Sequence, residues 1–599
     1  MSTYPPAALA EAVQLLERGE LAAAGRRVNA LPGHDDDPDA LHLLGLIRLQ
    51  QSRPEETLAL LRRSLILRPG HPDVRLNLAK ALRVVNRDAE AASLLVDLTD
   101  THPALAEAWS ELGMIALRAA DQSAAGTYFR KALEKEPGHP LALLWQGVAL
   151  RNEGRNEEAE RGLAEGLSLA GEPRLRGAFV YNLAHAQYGQ GKMESALENF
   201  ALANRLDPGL NAGINRADIL EEMLRFDEAE AVLEELVRRE PVNAAAHDAY
   251  NNLLHRMGRD QEFLTSYDRA PQTTELHAAK AGLLLKSGRQ EEAHALFIGI
   301  TARDPGNLEA AIGAATALNE LGRPGEGMLH LERALPHHPT NAILYHNLAA
   351  TALQARDPQK AVAMAEKSLI LSPVDQTGLA VLGSAWRAMG DERDELLNGY
   401  DELIRVFDLE PPRGFSSMAD FNAELNAWLD TRHPRTREPL QQSLRSGSQT
   451  RGHMFAQGHD LVERLRLRIE EAITRYIAET GPDARHPFRG RCGHGFRFAS
   501  SWSSRLKDCG YHVNHIHPGG WISSCYYVAL PETVKDQEGK QGWIKFGEPS
   551  FDAGLGVRRA VQPLPGRLVL FPSYMWHGTV PFHENATRTT IAFDAVPRG

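Results

Sequence analysis

The sequence predicts an α+β protein in two parts. An all-α solenoid of repeated helix pairs occupies residues 1–412, and a β-sandwich or barrel core occupies 491–599, joined and backed by helices within 413–490. Three observations carry that expectation. Prolines recur with a period near 34 residues over the first two thirds, the pattern changes to short aromatic and β-branched runs after Phe496, and 599 residues exceed what one small domain holds. Hydrophobic residues make up 43% and charged residues 24%, and no apolar run approaches the roughly 18 residues of a membrane helix, so a membrane-spanning reading is excluded. The first twenty residues lack a basic start before an apolar core, and Cys492, Cys509 and Cys525 are the whole cysteine content. No secretory signal is expected, and the natural compartment is a reducing cytoplasm.

The repeat comes first along the chain. Pro69, Pro103 and Pro137 are 34 apart, Pro173 and Pro208 follow at 36 and 35, and Pro305, Pro339 and Pro373 resume at 34. Aligned on Pro137, one helix carries Trp109, Leu112 and Gly113 and the next carries Ala125, Phe129 and Ala132. Small residues stand where two helices touch, bulky ones fill the gaps, and the proline cannot continue the hydrogen-bond ladder. The segment AWSELGMIALRAADQSAAGTYFRKALEKEPG resembles the tetratricopeptide family, and about a dozen such units run from Pro5 to Pro412. Between Pro241 and Pro305 the spacing is 64, so FLTSYDRAPQTTELH should hold a shortened helix and a kink. Asn77, Asn182, Asn215 and Asn347 fall at one repeat position, resembling the asparagine ladder by which O-linked N-acetylglucosamine transferases hold a peptide backbone. The plainer alternative is solvated asparagines on helix faces.

Charge divides the chain as the pattern does. Residues 413–599 hold 24 Lys+Arg against 18 Asp+Glu, and the remainder holds 42 against 60, so a basic short part follows an acidic long one. Nucleic acid is not expected on an acidic solenoid; a protein or peptide partner, or the basic domain itself, suits it. Nothing in the sequence sets the oligomeric state.

Two helical stretches follow, near 418–432 and 458–479. In the second, Leu461, Leu465, Ile469, Ala472, Ile473 and Tyr476 make one apolar stripe that should lie on a sheet. The expected strands are FRFASSWSSRL, WISSCYYVAL, GWIKFGE, RLVLF and TTIAFDAV. His515 and His517 are two apart on an extended run and so point to one side; His577 follows 62 residues after His515, and Arg588 eleven after that. Two ligands at one strand end, a third on a distant strand and an arginine beyond it make the arrangement of double-stranded β-helix Fe(II)/2-oxoglutarate oxygenases. There the metal is held on one face and a guanidinium meets the oxoacid's far carboxylate.

From about Gln441 onward, SLRSGSQTRG, HPFRGR, SSWSSRLKDCGYHVNHIHPGGWISSCYYVALP and GRLVLFPSYMWHGT resemble a family of bacterial 2-oxoglutarate/Fe(II) oxygenases found behind tetratricopeptide repeats. The resemblance implies a double-stranded β-helix (jelly-roll) domain, Fe(II) on His515 and His577, and Arg588 as the 2-oxoglutarate clamp. It also implies Tyr527 and Thr590 as further carboxylate contacts, O2 as oxidant, and hydroxylation as the reaction; the long run of repeats favours a protein or peptide recruited by the solenoid as substrate over a small molecule. No catalytic residue beyond the metal ligands is expected. Where the wider superfamily has HxD/E, this chain has HxH. His517 then completes a three-histidine site, or points away and leaves two histidines and water, or marks a domain that has lost its chemistry.

The competing expectation is an interaction scaffold with an inactive oxygenase-like domain; the joint presence of His515, His577 and Arg588 weighs against it. A tetratricopeptide glycosyltransferase is disfavoured because about 190 residues cannot hold two Rossmann-like lobes. A cupin would want an acid shortly after HxH, where Trp521 stands, and structural zinc would want paired cysteines. His433, His453, His459, His486, His494 and His583 are expected at the surface or behind the ligands, and alternation puts His512 and Asn514 on the far side of the strand. SLRSGSQTRG and HPFRGR suggest no role of their own.

Overall fold

The computed structural model describes residues 6–598 except 120, 434–439, 441, 451–452, 457 and 494. It divides into two compact units, one ending at Leu210 and one spanning Asn211–Arg598. In the first, successive helix pairs run from Pro6–Glu17 to Met193–Leu206. Local chemistry starts the helices: Asp37 accepts from the backbone N–H groups of Asp39 and Ala40, and Pro38, Pro54, Pro72 and Pro140 open theirs, where the missing N–H costs nothing. Most periodic prolines stand in the turn after a second helix, but Pro173 opens Pro173–Tyr188, which accounts for the 36-residue step. The helices Ala106–Arg118 and Gln122–Lys135 show why the repeat wants glycine. A Cβ on Gly113 would lie 2.5 Å from the fully buried Phe129 ring, so the two helices approach only because none is there.

The second unit opens with successive helix pairs of its own, from Ala212–Glu222 to Arg393–Asn398. The degenerate repeat is shortened as its spacing predicts: after Ala244–Arg256 its second helix is only Thr265–Arg269. A buried polar knot replaces the lost turns. Asn251 donates to His247 O (2.8 Å) and Ser266 Oγ (2.7 Å) and accepts from the Leu264 N–H (2.6 Å), where Leu264 adopts φ 70°. No helix among the described residues is long and apolar enough to cross a membrane.

Among the described residues nine strands build the C-terminal part: β1 Arg405–Asp408, β2 Leu444–Gln449, β3 Phe496–His512, β4 Ile522–Ala529, β5 Ile544–Phe546, β6 Arg559–Val561, β7 Arg567–Pro572, β8 His577–Thr579 and β9 Arg588–Pro597. They form a six-stranded sheet, β1-β7-β4-β9-β3-β2, and a three-stranded one, β6-β5-β8, every pairing antiparallel, as in a jelly roll. The helices Met418–Asp430 and Asp460–Thr480 back the larger sheet. Leu465, Ile469, Ala472, Ile473 and Tyr476 are buried as the stripe requires, in one core with Leu568 and Leu570 of β7.

The sequence-drawn borders differ from the sheet in two places. β1 lies before residue 412 yet pairs with β7 over four residues, and β2 lies in the 413–490 connector yet pairs with β3. β2 is the SLRSGSQ segment, whose glycine and serines masked its strand character; Gly447 is there because a Cβ would sit 2.3 Å from Arg505 O across the ladder. HPFRGR also gains a structural part. His486 binds Leu397 O (3.1 Å), Phe488 is buried against Trp521, and Arg489 pairs with Glu402.

The last solenoid helices and the jelly roll therefore share a core. Leu379, Leu397, Leu403 and Ile404 pack with Phe407, Trp521 and Tyr574. Phe551 and Ala553, in the loop after β5, pack into the cluster of Leu344, Leu348 and Leu382. Arg387 donates to Gly547 O (2.7 Å) and Gly556 O (2.6 Å). Ion pairs of both polarities add to it, with Arg356 of the solenoid on Asp552 and Arg558 of the jelly roll on Glu395. The contact is mainly apolar and hydrogen-bonded, whereas the charge division alone suggested electrostatic docking.

Candidate metal centre

β3 ends at His512, and the chain leaves the sheet through Val513, whose N–H binds Ser443 O (2.9 Å). His515 then pairs backbone to backbone with His577: its N–H donates to His577 O (2.8 Å), and its carbonyl oxygen accepts from the His577 N–H (3.0 Å). His517 N–H binds Ser573 O (3.0 Å), which holds the third imidazole beside the other two. Ring centroids are 4.2 Å apart for His515 and His577, 5.0 Å for His517 and His577 and 5.1 Å for His515 and His517. One ligand atom from each lies within 4.8 Å of the others.

Each imidazole is oriented from behind. His515 Nδ1 binds Val513 O (2.8 Å), His577 Nδ1 binds Met575 O (2.9 Å), and His517 Nδ1 binds Asp594 Oδ1 (2.5 Å). With Nδ1 as donor, every Nε2 keeps its lone pair for the cavity. Burial, followed by the neighbouring His517, lowers His515 to about 3, and burial with His515 and His517 holds His577 well below the ordinary histidine value. Both rings are thus neutral, the form that ligates. The Nε2 atoms of His515 and His517 are 3.1 Å apart, close to the ~3.0 Å of two nitrogens sharing one ion at right angles and ~2.1 Å bonds. The residues fit a divalent ion. His517 faces the centre, contrary to the reading in which it points away.

The histidines line a cavity of about 300 Å³ with Arg588, Thr590 and Asp594 of β9. Arg588 is 1% exposed; its Nε donates to Gly542 O (3.0 Å), and among the described residues its guanidinium has no carboxylate partner. A buried cation without a counter-ion is expensive, and an anionic ligand in the cavity would complete it. Thr590 reaches the cavity, its Oγ1 3.4 Å from Ser504 O. Tyr527 does not line it: its ring lies under the guanidinium at 5.1 Å, and its buried hydroxyl faces the Arg588 and Cys525 side chains.

Other expectations are revised. His512 lines the cavity, with Nδ1 3.0 Å from Ser443 Oγ, because the chain leaves the strand at Val513 and alternation no longer applies; Asn514 does point away, donating to Pro549 O. His433 (to Ser448 and Ser503 hydroxyls), His453 (to Ser501 Oγ) and His486 are held structurally; His459 stacks on Trp428, and His494 lies outside the described residues. His583 stands beside Cys509 and Asp508 on the exposed surface. Asp594, Ser443, Gln442, Gln449, Trp502 and Cys525 join the cavity without having been singled out; a lone acid in the apolar run TTIAFDAV was the available signal for Asp594.

Of the ladder asparagines, Asn182 accepts from Arg151 (3.0 Å) and donates to Ala178 O (2.9 Å), Asn347 donates to Ile343 O (2.8 Å), and Asn77 lies 2.9 Å from His42 Nε2. Asn182 and Asn347 thus turn an N–H toward their own helix, and Asn215 is half-buried on Ala212–Glu222.

Residues 500–594 match the sequence-family model described as "Putative 2OG-Fe(II) oxygenase". One tetratricopeptide-repeat model matches 48–114 and 284–351, and another 112–170 and 214–275. The chain joins tetratricopeptide repeats to a 2OG-Fe(II) oxygenase domain. No curated protein matches it. Among solved structures it is similar to yeast Tom70, at 16% identity over 65% of this chain and 96% of that one with TM-score 0.35. A thermophilic TPR protein of Thermus thermophilus matches at 21% identity over 31% of this chain and 98% of that one, with TM-score 0.27. The match covers the three histidines, Arg588 and Asp594, while Gln442, Ser443 and Gln449 of the cavity wall lie before it.

Proposed function

We propose that this chain is an Fe(II)- and 2-oxoglutarate-dependent oxygenase that hydroxylates a protein or peptide recruited by its tetratricopeptide repeats. The observation that carries the reading is the convergence, in one cavity, of three oriented Nε2 atoms and a buried guanidinium lacking a counter-ion. Fe(II), with 2-oxoglutarate and O2, would supply oxidative decarboxylation to succinate coupled to hydroxylation. The chain's own residues do the positioning. His515, His517 and His577 would hold the ion, and Arg588, buried at the cavity wall, would take the distal carboxylate. Thr590 offers a hydroxyl beside the guanidinium, and Tyr527 supports the arginine by stacking beneath it.

A partner of protein size is favoured by the architecture, since the last solenoid helices are built into the catalytic domain. Trp576, next to the ligand His577, donates to Ser384 Oγ (3.1 Å), and Tyr574 donates to Leu397 O (2.7 Å), so whatever the last repeats of the second unit bind is held at a fixed place relative to the cavity. The test is succinate formation by the purified full-length chain with Fe(II) and 2-oxoglutarate. His577→Ala should abolish both metal uptake and turnover, and retained turnover would remove the assignment. His517→Ala should also lose activity if three histidines hold the ion. A pull-down with an inert divalent ion in the site, read by mass spectrometry, would name the partner.

A further inference from the structure

The three imidazoles are not supported alike. His515 and His577 each turn Nδ1 to a neutral backbone carbonyl, of Val513 and Met575, whereas His517 turns Nδ1 to a carboxylate, Asp594 Oδ1, at 2.5 Å. That carboxylate is itself fixed: Oδ1 accepts from Ser523 Oγ (2.7 Å) and Oδ2 from Ser500 Oγ (3.2 Å), and Asp594 faces Ser523 directly across the β4–β9 ladder. Ser523 also lies 2.8 Å from the hydroxyl of Ser573, the residue whose carbonyl holds the His517 N–H. Backbone and side chain of His517 are thus held by one connected group, 9% exposed at Asp594.

We propose that Asp594 is the positioning residue of this centre and returns to it the negative charge that an HxH sequence lacks. The inference rests on the metal reading above. Three neutral imidazoles bring no charge to a divalent cation, whereas a carboxylate behind one of them polarises its N–H and strengthens its Nε2 as a donor. The carboxylate stands behind His517, the position at which the resemblance expects an acid, and behind neither of the others. The acid stands here behind a ligand, at its Nδ1, and not as the ligand itself. Its distance in sequence from His517, 77 residues, and its place on another strand keep it out of any local motif.

The test uses full-length apo-protein titrated with Co(II), followed by calorimetry and by the visible absorption of the bound ion. Wild type should take up one Co(II), lost in His577→Ala. Asp594→Asn should keep the far-UV circular dichroism of the wild type, weaken Co(II) binding by about 10- to 100-fold and alter the Co(II) spectrum. In a His517→Ala background the same change should cost almost nothing further, because its effect passes through that imidazole. Asp594→Asn with wild-type affinity and spectrum would overturn the proposal, as would an equal loss with and without His517, which would make Asp594 a staple of the sheet. Should Asp594→Asn misfold, Ser523→Ala carries the test: it keeps the carboxylate but removes a support, and a several-fold loss is expected where no loss would overturn the proposal. A wild type that takes up no Co(II) at the histidines would instead sink the metal reading itself.

Discussion

Cutting the chain at residue 413 removes more than a recruitment arm. A fragment 413–599 loses β1, the edge strand paired with β7, and with it Leu379, Leu397, Leu403, Ile404 and Phe407 from the core beneath Trp521 and Tyr574. At about 1.5–3 kcal/mol per large apolar side chain, those five contribute on the order of 10 kcal/mol, an upper figure because unfolded chains already bury some surface. A domain's whole stability is about 5–15 kcal/mol. Three buried donors also lose acceptors: Tyr476 Oη from Leu403 O, Tyr574 Oη from Leu397 O, and Trp576 Nε1 from Ser384 Oγ. Each unsatisfied group adds a cost of about 1–3 kcal/mol. The fragment should therefore show no cooperative transition in a circular-dichroism melt and take up no Co(II). A fragment 307–599 keeps Asn307 as N-cap of Leu308–Glu320 and the cluster under Phe551 and Ala553, and it should do both. Cooperative melting of 413–599 at the temperature of the longer fragment would refute the shared-core argument.

Two further outcomes follow from single side chains. Arg588→Ala should raise the 2-oxoglutarate requirement by about a hundredfold or more, since leaving one partner of a buried ion pair unmatched costs about 3–5 kcal/mol, while Co(II) uptake by the apo-protein stays unchanged. Equal loss of both, measured by titration, would make the arginine a folding residue. Burial, then the nearby Arg505, lowers His433 from 6.5 to about 3, so the folded state refuses a proton that the unfolded chain accepts. Its contribution is complete above pH 6.5 and is lost as pH falls from there toward about 3, by at most roughly 1.4 kcal/mol per pH unit. Urea denaturation near pH 7 and near pH 5 should show a shallower acid slope in His433→Gln than in wild type, and parallel slopes would exclude that histidine as the cause.

What the sequence by itself determined is what repeats or lies close along the chain. The 34-residue proline period, the pairing of Gly113 with Phe129 and the apolar stripe from Leu461 to Tyr476 are set by helix geometry acting over a few turns. The two-residue spacing of His515 and His517 likewise implies a common side without knowledge of the fold. The tertiary structure alone decided what joins distant segments. Strand pairing has no local signature that names its partner, so β1 was hidden in the end of the solenoid and β2 in a run of glycine and serine. His512 defeated alternation because the chain leaves the strand one residue later, at Val513. Asp594 reaches His517 only because β9 lies beside β4, which places its carboxylate at the far ring nitrogen of a residue 77 positions away. A period or a spacing records the geometry of one element, whereas the support behind a ligand depends on which elements become neighbours, and burial and hydrogen bonding across the whole unit settle that.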